Sequence, residues 1–134
     1  MTKTFALHLQ SAERYECIAT VVSFVGQDAS GSFGILAGRS DFMTVLDYGL
    51  ARFLLPERGW QYVASPGAVV SFSDNQLYFN TRRYLRGDDY DRVFSLLTGQ
   101  LADEERSLKA VKDNLFRLEQ ELFRRLHELD RRPT

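Results

Sequence analysis

The chain has 134 residues, of which 44% are hydrophobic and 26% are charged, and its formal net charge is −1. This composition predicts a packed globular protein rather than a disordered one, and it lacks the basic excess of a general nucleic-acid binder. The single cysteine, Cys17, excludes an internal disulfide, and no apolar run approaches the roughly 20 residues of a membrane-spanning helix. We therefore expect a protein of a reducing, cytoplasmic compartment.

Apolar alternation marks the first strands. Phe5, Leu7 and Leu9 alternate with more polar neighbours, which is the period of a half-buried strand. The segment from Ile18 to Val25 is rich in β-branched residues. Proline, glycine or Asp-Asn turn signals follow at 56–59, 66–67 and 73–76, between further short apolar runs. This pattern predicts an antiparallel β-sandwich or a flattened barrel.

The stretch from Ser30 to Phe42 contains three glycines around the apolar pair Ile35-Leu36. Their spacing matches neither a nucleotide-triphosphatase phosphate loop nor the G-x-G-x-x-G of a dinucleotide fold. We interpret the glycines as residues that permit positive φ or close backbone approach between two strands.

The last third of the chain has a different character. It holds 21 charged residues in positions 85–134, against 14 in positions 1–84. Leucine and valine recur there at steps of three or four along one seam: Leu108, Val111, Leu115, Leu118, Leu122, Leu126 and Leu129. An earlier helical pattern runs from Tyr90 to Leu101. Thr98-Gly99 suits a helix C-cap, which favours a helical hairpin over the alternative of one unbroken helix.

These two parts predict a β-sandwich domain at residues 1–86 and a two-helix domain at residues 87–134. No catalytic, cofactor-binding or metal-binding residue stands out. His8 and His127 lie in different parts, and Cys17 has no histidine nearby in sequence. The cluster of Asp88, Asp89 and Asp91 is interpreted as a helix cap rather than as acid–base machinery. We therefore expect a protein that binds other molecules rather than one that catalyses a reaction.

The order of several motifs resembles one family. The epsilon subunit of F-type ATP synthases (delta in mitochondria) shows the pattern G-x-x-G-x-L-G-I-L-P-G-H-x-x-L-L-T-x-L, and residues 32–46 here follow it closely. Further likenesses lie at residues 7–17, 47–53 and 62–81. The family's proline and histidine are replaced by Ala37 and Arg39, which indicates a divergent branch such as an alternative ion-translocating ATPase.

The resemblance implies a rotor subunit without an active site, at the cytoplasmic face of the cell membrane. Its partners would be the gamma subunit and the membrane ring, with the catalytic head a further partner that the helices regulate. The implied interface residues are Ser32, Phe33, Gly34, Ile35, Leu36, Gly38, Arg39, Leu115, Leu118 and Leu122. The rival hypothesis is a stand-alone β-sandwich module whose helical hairpin recruits another protein through coiled-coil contact.

Some members of this family bind ATP through an I-D-x-x-R-A motif on the helices. Anchored on Arg86-Gly87, the aspartate falls on Asp91, but Phe94 stands where the arginine is needed. We therefore expect no ATP site of that type and no cofactor.

Overall fold

The computed structural model describes residues 3–130. Ten strands come first: β1 Phe5–Gln10, β2 Tyr15–Val21, β3 Ser23–Asp28, β4 Gly31–Leu36, β5 Phe42–Leu46, β6 Gly49–Leu55, β7 Gly59–Ser65, β8 Ala68–Ser73, β9 Gln76–Thr81 and β10 Leu85–Gly87. The helical elements are α1 Tyr90–Leu96, a π-helical turn Leu97–Leu101, and α2 Ala102–Asp130. By their internal contacts, residues 1–101 and residues 102–134 form two compact units.

The strands form two halves that face each other. One half runs in the order β10-β7-β6-β3, with β4 paired to β3, and the other in the order β5-β8-β9-β1-β2. The halves are joined where Asp28 of β3 pairs with Leu46 of β5. The predicted β-sandwich is therefore confirmed. One pair, β1 with β9, is parallel rather than antiparallel, and β1 lies between β9 and β2 in the sheet.

The core lies between the two halves and is rich in phenylalanine. Phe24 of β3 meets Phe79 of β9 with ring centroids 6.2 Å apart, and Phe5 meets Phe72 at 5.5 Å. The alternation expected in β1 is confirmed, since its three inward side chains, at positions 5, 7 and 9, are all fully buried. Burying one such side chain contributes roughly 1.5–3 kcal/mol, so this inner layer is what holds the halves together.

The turns predicted from proline, glycine and asparagine are formed. β6 and β7 are joined by a turn at 56–58, and Gly59 after it has φ +78°. Asp74 and Asn75 link β8 to β9 with φ of 51° and 60°. Positive φ at both central residues is the geometry that matches the twist of a two-residue hairpin.

Helix α1 begins at an aspartate cap, as the sequence predicts. The Asp89 carboxylate accepts hydrogen bonds from the backbone N–H of Asp91 (3.0 Å) and of Arg92 (3.5 Å). Beyond the cap, Val93, Leu97 and Leu101 are buried in a small second core that includes Ala64 of β7. This packing makes α1 and the π-helical turn part of the same compact unit as the sandwich. The domain boundary after residue 86 stays a prediction.

The structure does not show the hairpin turn expected at Thr98-Gly99. Both residues lie in the π-helical turn, and α2 begins directly after it at Ala102. Gly99 does not have the positive φ of a C-cap glycine. One glycine inside a helix costs only about 1 kcal/mol, and the Thr98 hydroxyl donates locally to the Phe94 carbonyl at 3.1 Å. The local stop signal is therefore too weak to end the helix.

Candidate interaction surfaces

Strand β4 presents alternate residues of the glycine-rich stretch to solvent. Ser32, Gly34 and Leu36 are exposed, and Leu36 has 62% of its surface accessible. Phe33 and Ile35 point the other way, and Ile35 is 0% exposed in the core. The predicted interface residues of this strand therefore divide into an outward set that can touch a partner and an inward pair that anchors the strand.

The inward pair is fitted to a glycine on the neighbouring strand. Phe33 is paired with Gly26 of β3, and a Cβ at Gly26 would lie only 3.0 Å from the tip of the Phe33 ring. The same ring lies 5.3 Å from that of Phe42, centroid to centroid. Because Gly26 has no side chain, it leaves the space that the Phe33 ring occupies, and this ring covers the core beneath β4.

Arg39 secures the loop that follows β4. Its Nη1 donates to the Gly34 carbonyl at 3.2 Å, and its guanidinium carbon lies 4.4 Å from the centre of the Phe42 ring. Gly38, just before it, has φ +80°, a conformation that glycine adopts without strain. Arg39 thus covers part of the open edge of β4 with its own hydrogen bond.

Asn75 ties the same loop to two other segments, a role that the sequence did not indicate. Its Oδ1 accepts from the Gly38 N–H at 3.0 Å, and its Nδ2 donates to the Thr4 carbonyl at 2.9 Å. The Asp74-Asn75 pair signals a turn in sequence, but nothing local reveals that the side chain reaches residues 37 and 71 positions away.

The loop between β3 and β4 is held by Asp28. Its Oδ1 accepts from the backbone N–H (2.9 Å) and the hydroxyl (2.6 Å) of Ser30, and its Oδ2 accepts from the Thr44 hydroxyl at 2.6 Å. These hydrogen bonds, the one from the Ser30 side chain first, hold the pKa of Asp28 below its ordinary value. Both ends of β4 are therefore fixed, and its outward residues form a preordered surface.

Helix α2 displays the second candidate surface. Leu115, Leu118 and Leu122 follow one another along the apolar seam, and all three are exposed. Around the seam Glu121 pairs with Arg124 at 2.7 Å and with Arg125 at 3.5 Å, and the hydrogen bond from Arg124 lowers the pKa of Glu121. An exposed apolar seam bordered by ion pairs is suited to contact with a protein partner.

Within residues 3–130, no three histidine, cysteine, aspartate or glutamate side chains come together as a metal site. Neither helix of that range is long and apolar enough to cross a bilayer. His8 and His127 lie on β1 and α2, and Cys17 is an exposed free thiol on β2.

The fold is a β-sandwich followed in the chain by a helix, and the glycine-rich strand and the helix seam are its two candidate interaction surfaces. Residues 4–87 match the family model described as the β-sandwich domain of the ATP synthase delta/epsilon chain. The chain belongs to this family, which confirms the resemblance noted in its sequence motifs.

Relatives extend the match beyond the sandwich. The "ATP synthase epsilon chain 2" of Cereibacter sphaeroides is 31% identical over 115 residues, which covers 84% of this chain and 79% of that protein. A chain in the Euglena gracilis mitochondrial ATP synthase has the same fold with a TM-score of 0.60 at 16% identity, covering 82% of this chain and 66% of that one. One in the central stalk and c-ring structure from Tetrahymena thermophila has a TM-score of 0.51 at 13% identity, covering 63% and 67%.

Proposed function

We propose that this protein is a non-catalytic central-stalk subunit of an F-type ATP synthase. In that role it links the gamma subunit to the membrane ring and couples ion translocation to ATP synthesis or hydrolysis. The observation that carries the proposal is the family match over residues 4–87, extended by 31% identity to an epsilon chain over 84% of the chain. The protein would lie at the cytoplasmic face of the membrane, held there by the complex, and have no active site of its own.

Each of the two candidate surfaces would make part of the contacts with the other subunits of the complex. The outward residues of β4 and its loop, Ser32, Gly34, Leu36, Gly38 and Arg39, would face the ring or gamma, while Phe33 and Ile35 support them from the core. The seam through Leu115, Leu118 and Leu122 would face gamma or the catalytic head and regulate hydrolysis. A preordered strand loses little conformational freedom on docking, which favours a firm contact in a part that transmits torque.

Gly34 makes the β4 contact testable. Its φ is not positive, and an added Cβ would come no closer than 3.9 Å to another atom, so neither conformation nor packing within the chain requires glycine. We expect Gly34→Val to fold normally, since valine suits a strand, but to weaken binding to a partner that approaches the strand closely. The measurement is co-elution of the purified chain with the gamma subunit, and with the purified membrane ring, from the same source.

Ala19→Val is the matched control, because Ala19 is exposed on β2 and gains the same side chain. The proposed function requires a stable one-to-one complex of the native chain and the control with gamma. If the native chain separates from gamma while both proteins are folded by circular dichroism, the central-stalk role is excluded. The stand-alone interaction module would then be the better description.

A further inference from the structure

The π-helical turn Leu97–Leu101 is a rare kind of element, and a side chain from the sandwich is bonded to it. The hydroxyl of Tyr48, in the turn between β5 and β6, donates a hydrogen bond to the backbone carbonyl of Leu97. π-helical turns occur mostly as single turns within α-helices, and they are frequent at functional sites. The bond joins the first residue of this turn to a part of the chain that lies 49 residues away.

The strands on either side of Tyr48 fix its backbone. β5 ends at Leu46, which pairs with Ala68 of β8. β6 begins at Gly49, which pairs with Ser65 of β7. Because the turn between these two strands is only two residues long, the backbone at Tyr48 has little freedom, and the sandwich presents its hydroxyl to the π-helical turn.

The π form keeps three apolar side chains on one face. Val93, Leu97 and Leu101 are four residues apart, and all three are buried in the second core with Ala64. Each four-residue step advances by about 40° around an α-helix, so two such steps would carry Leu101 about 80° away from Val93. A π turn has i→i+5 hydrogen bonds and rotates less per residue, which brings Leu101 back toward the sandwich. The burial of Leu101 therefore depends on the π form.

Two effects oppose each other in this turn. The burial of Leu101 favours the π form, whereas the intrinsic preference of the backbone favours the far more common α form. The Thr98 hydroxyl donates to the Phe94 carbonyl at 3.1 Å, a local bond of the kind that threonine makes within α-helices as well. The bond from Tyr48 comes from outside the helix, so it depends on where the turn places the Leu97 carbonyl. One such tertiary hydrogen bond is enough to decide between two forms of similar free energy.

The sandwich also leaves room for a second position of the Tyr48 side chain. The ring is partly exposed, and a cavity of about 240 Å³ lies beside it. This cavity forms where β3 separates from β6 and pairs with β5 through Asp28. Gln27 and Ser65 contribute polar groups to its lining, and these can exchange hydrogen bonds with a phenol hydroxyl. A Tyr48 hydroxyl that leaves Leu97 can therefore be satisfied elsewhere.

We propose that the hydrogen bond from Tyr48 to Leu97 is a latch that holds residues 97–101 in the π form. When the hydroxyl turns into the cavity, the segment relaxes to α-helix and Leu101 leaves the second core. The latch lies within the compact unit of residues 1–101, directly before α2, the helix that carries the apolar seam. This conformational device goes beyond the proposed central-stalk function and does not depend on it.

NMR of the free full-length chain tests the latch through methyl contacts. In the native chain, the methyl groups of Leu101 and of Val93 should both show nuclear Overhauser effects to sandwich residues of the second core. Tyr48→Phe removes the hydroxyl and keeps the ring. Tyr90→Phe is the matched control, because it makes the same change in an exposed ring on α1.

We expect Tyr48→Phe to weaken the Leu101 effects by about threefold or more, since one hydrogen bond shifts an equilibrium by that order. The Val93 effects should stay as in the native chain. Scalar couplings across the backbone hydrogen bonds of the turn should move from the fifth to the fourth preceding carbonyl. Tyr90→Phe should change none of these.

Two results with Tyr48→Phe would overturn the proposal. If the Leu101 effects are unchanged, packing alone holds the π form and the hydroxyl is not a latch. If the Val93 effects are lost together with those of Leu101, the bond supports the whole second core rather than the form of the turn.

Deletion of Gly99 provides a second test. It removes the extra residue of the π turn, so that Leu101 follows Leu97 by three residues in a continuous α-helix. Three residues rotate by about 300°, which returns Leu101 to within about 20° of Val93 and keeps it buried. Adding Tyr48→Phe to this deletion should leave the Leu101 effects unchanged, because no π turn remains to be held. If Tyr48→Phe weakens them as much as it does in the native chain, the latch proposal is wrong.

Discussion

Asp28 shows how one side chain can serve both the fold and the candidate surface. It occupies the pair that joins β3 to β5, and its two carboxylate oxygens collect hydrogen bonds from Ser30 and Thr44. All of these favour the ionised form, which is why the pKa of Asp28 is lower in the folded chain. The carboxylate thereby connects the halves and fixes the start of β4.

The lowered pKa sets the direction of a pH effect. Because Asp28 binds a proton less readily when folded, it stabilises the fold above its unfolded pKa, near 3.8, and this contribution is lost as pH falls through the folded value. We expect Asp28→Asn to lower the free energy of unfolding at neutral pH. The difference between native and variant chains should shrink steadily from about pH 5 to pH 2. Urea unfolding at a series of pH values measures it.

Asp41→Asn is the control, since it removes a charge from an exposed position just before β5. It should shift stability little at any pH, as surface charges usually do. If the difference in free energy of unfolding between Asp28→Asn and the native chain is constant from neutral to acid pH, the charge of Asp28 does not contribute to stability.

At the scale of elements, local signals explain what was predictable. The β1 alternation and the Asp74-Asn75 turn depend on neighbouring residues, and both are confirmed. The parallel pairing of β1 with β9 and the reach of Asn75 to Gly38 depend on chain segments far apart, which no local pattern encodes. In β4, the alternation of outward and inward residues follows from the strand period, but the space at Gly26 that accepts the Phe33 ring depends on a neighbouring strand.

The hairpin turn predicted at Thr98-Gly99 is not shown by the structure, which has a π-helical turn at Leu97–Leu101. A substitution at Gly99 distinguishes a continuing helical turn from a hairpin turn at this position. In the π-helical turn, Gly99 has no positive φ and an added Cβ would meet nothing within 4 Å. Gly99→Ala should therefore stabilise the segment by about 1 kcal/mol, since alanine favours helix over glycine by that amount.

A hairpin would give the opposite sign, because alanine in a left-handed cap costs about 1–2 kcal/mol. Amide hydrogen exchange over residues 95–105 measures the local effect without requiring global unfolding. Gly99→Pro provides the contrast: it removes a backbone donor and should open this segment by about 3 kcal/mol. Faster amide exchange in the Gly99→Ala variant than in the native chain would favour the hairpin instead.

At the scale of the whole molecule, the two compact units draw on different sources of stability. Residues 1–101 enclose the phenylalanine core and the smaller cluster under α1. In α2, every side chain from Arg106 to Gln120 is exposed. A helix gains most of its stability in proteins from packing its apolar face, and this one has that face open to solvent.

The free chain should therefore lose its structure in two stages. The single tryptophan, Trp60 on β7, reports on the sandwich by fluorescence, and ellipticity at 222 nm reports mainly on helix. On heating, the ellipticity should fall before the fluorescence changes, because separate transitions by different probes mark separate units. A chain ending at Leu101 should keep its fluorescence midpoint within ~4 °C, equivalent to less than about 1 kcal/mol.

The same experiment repeated with the gamma subunit connects stability to function. A partner that covers the seam through Leu115, Leu118 and Leu122 binds the folded helix and not the unfolded one, so it should raise the first transition toward the second. Leu118→Asp should abolish that shift while leaving the Trp60 transition where it was, because Leu118 is exposed on α2. Coincident transitions in the free chain would show that α2 already has its stabilising contacts, and the seam would then not be a surface held open for a partner.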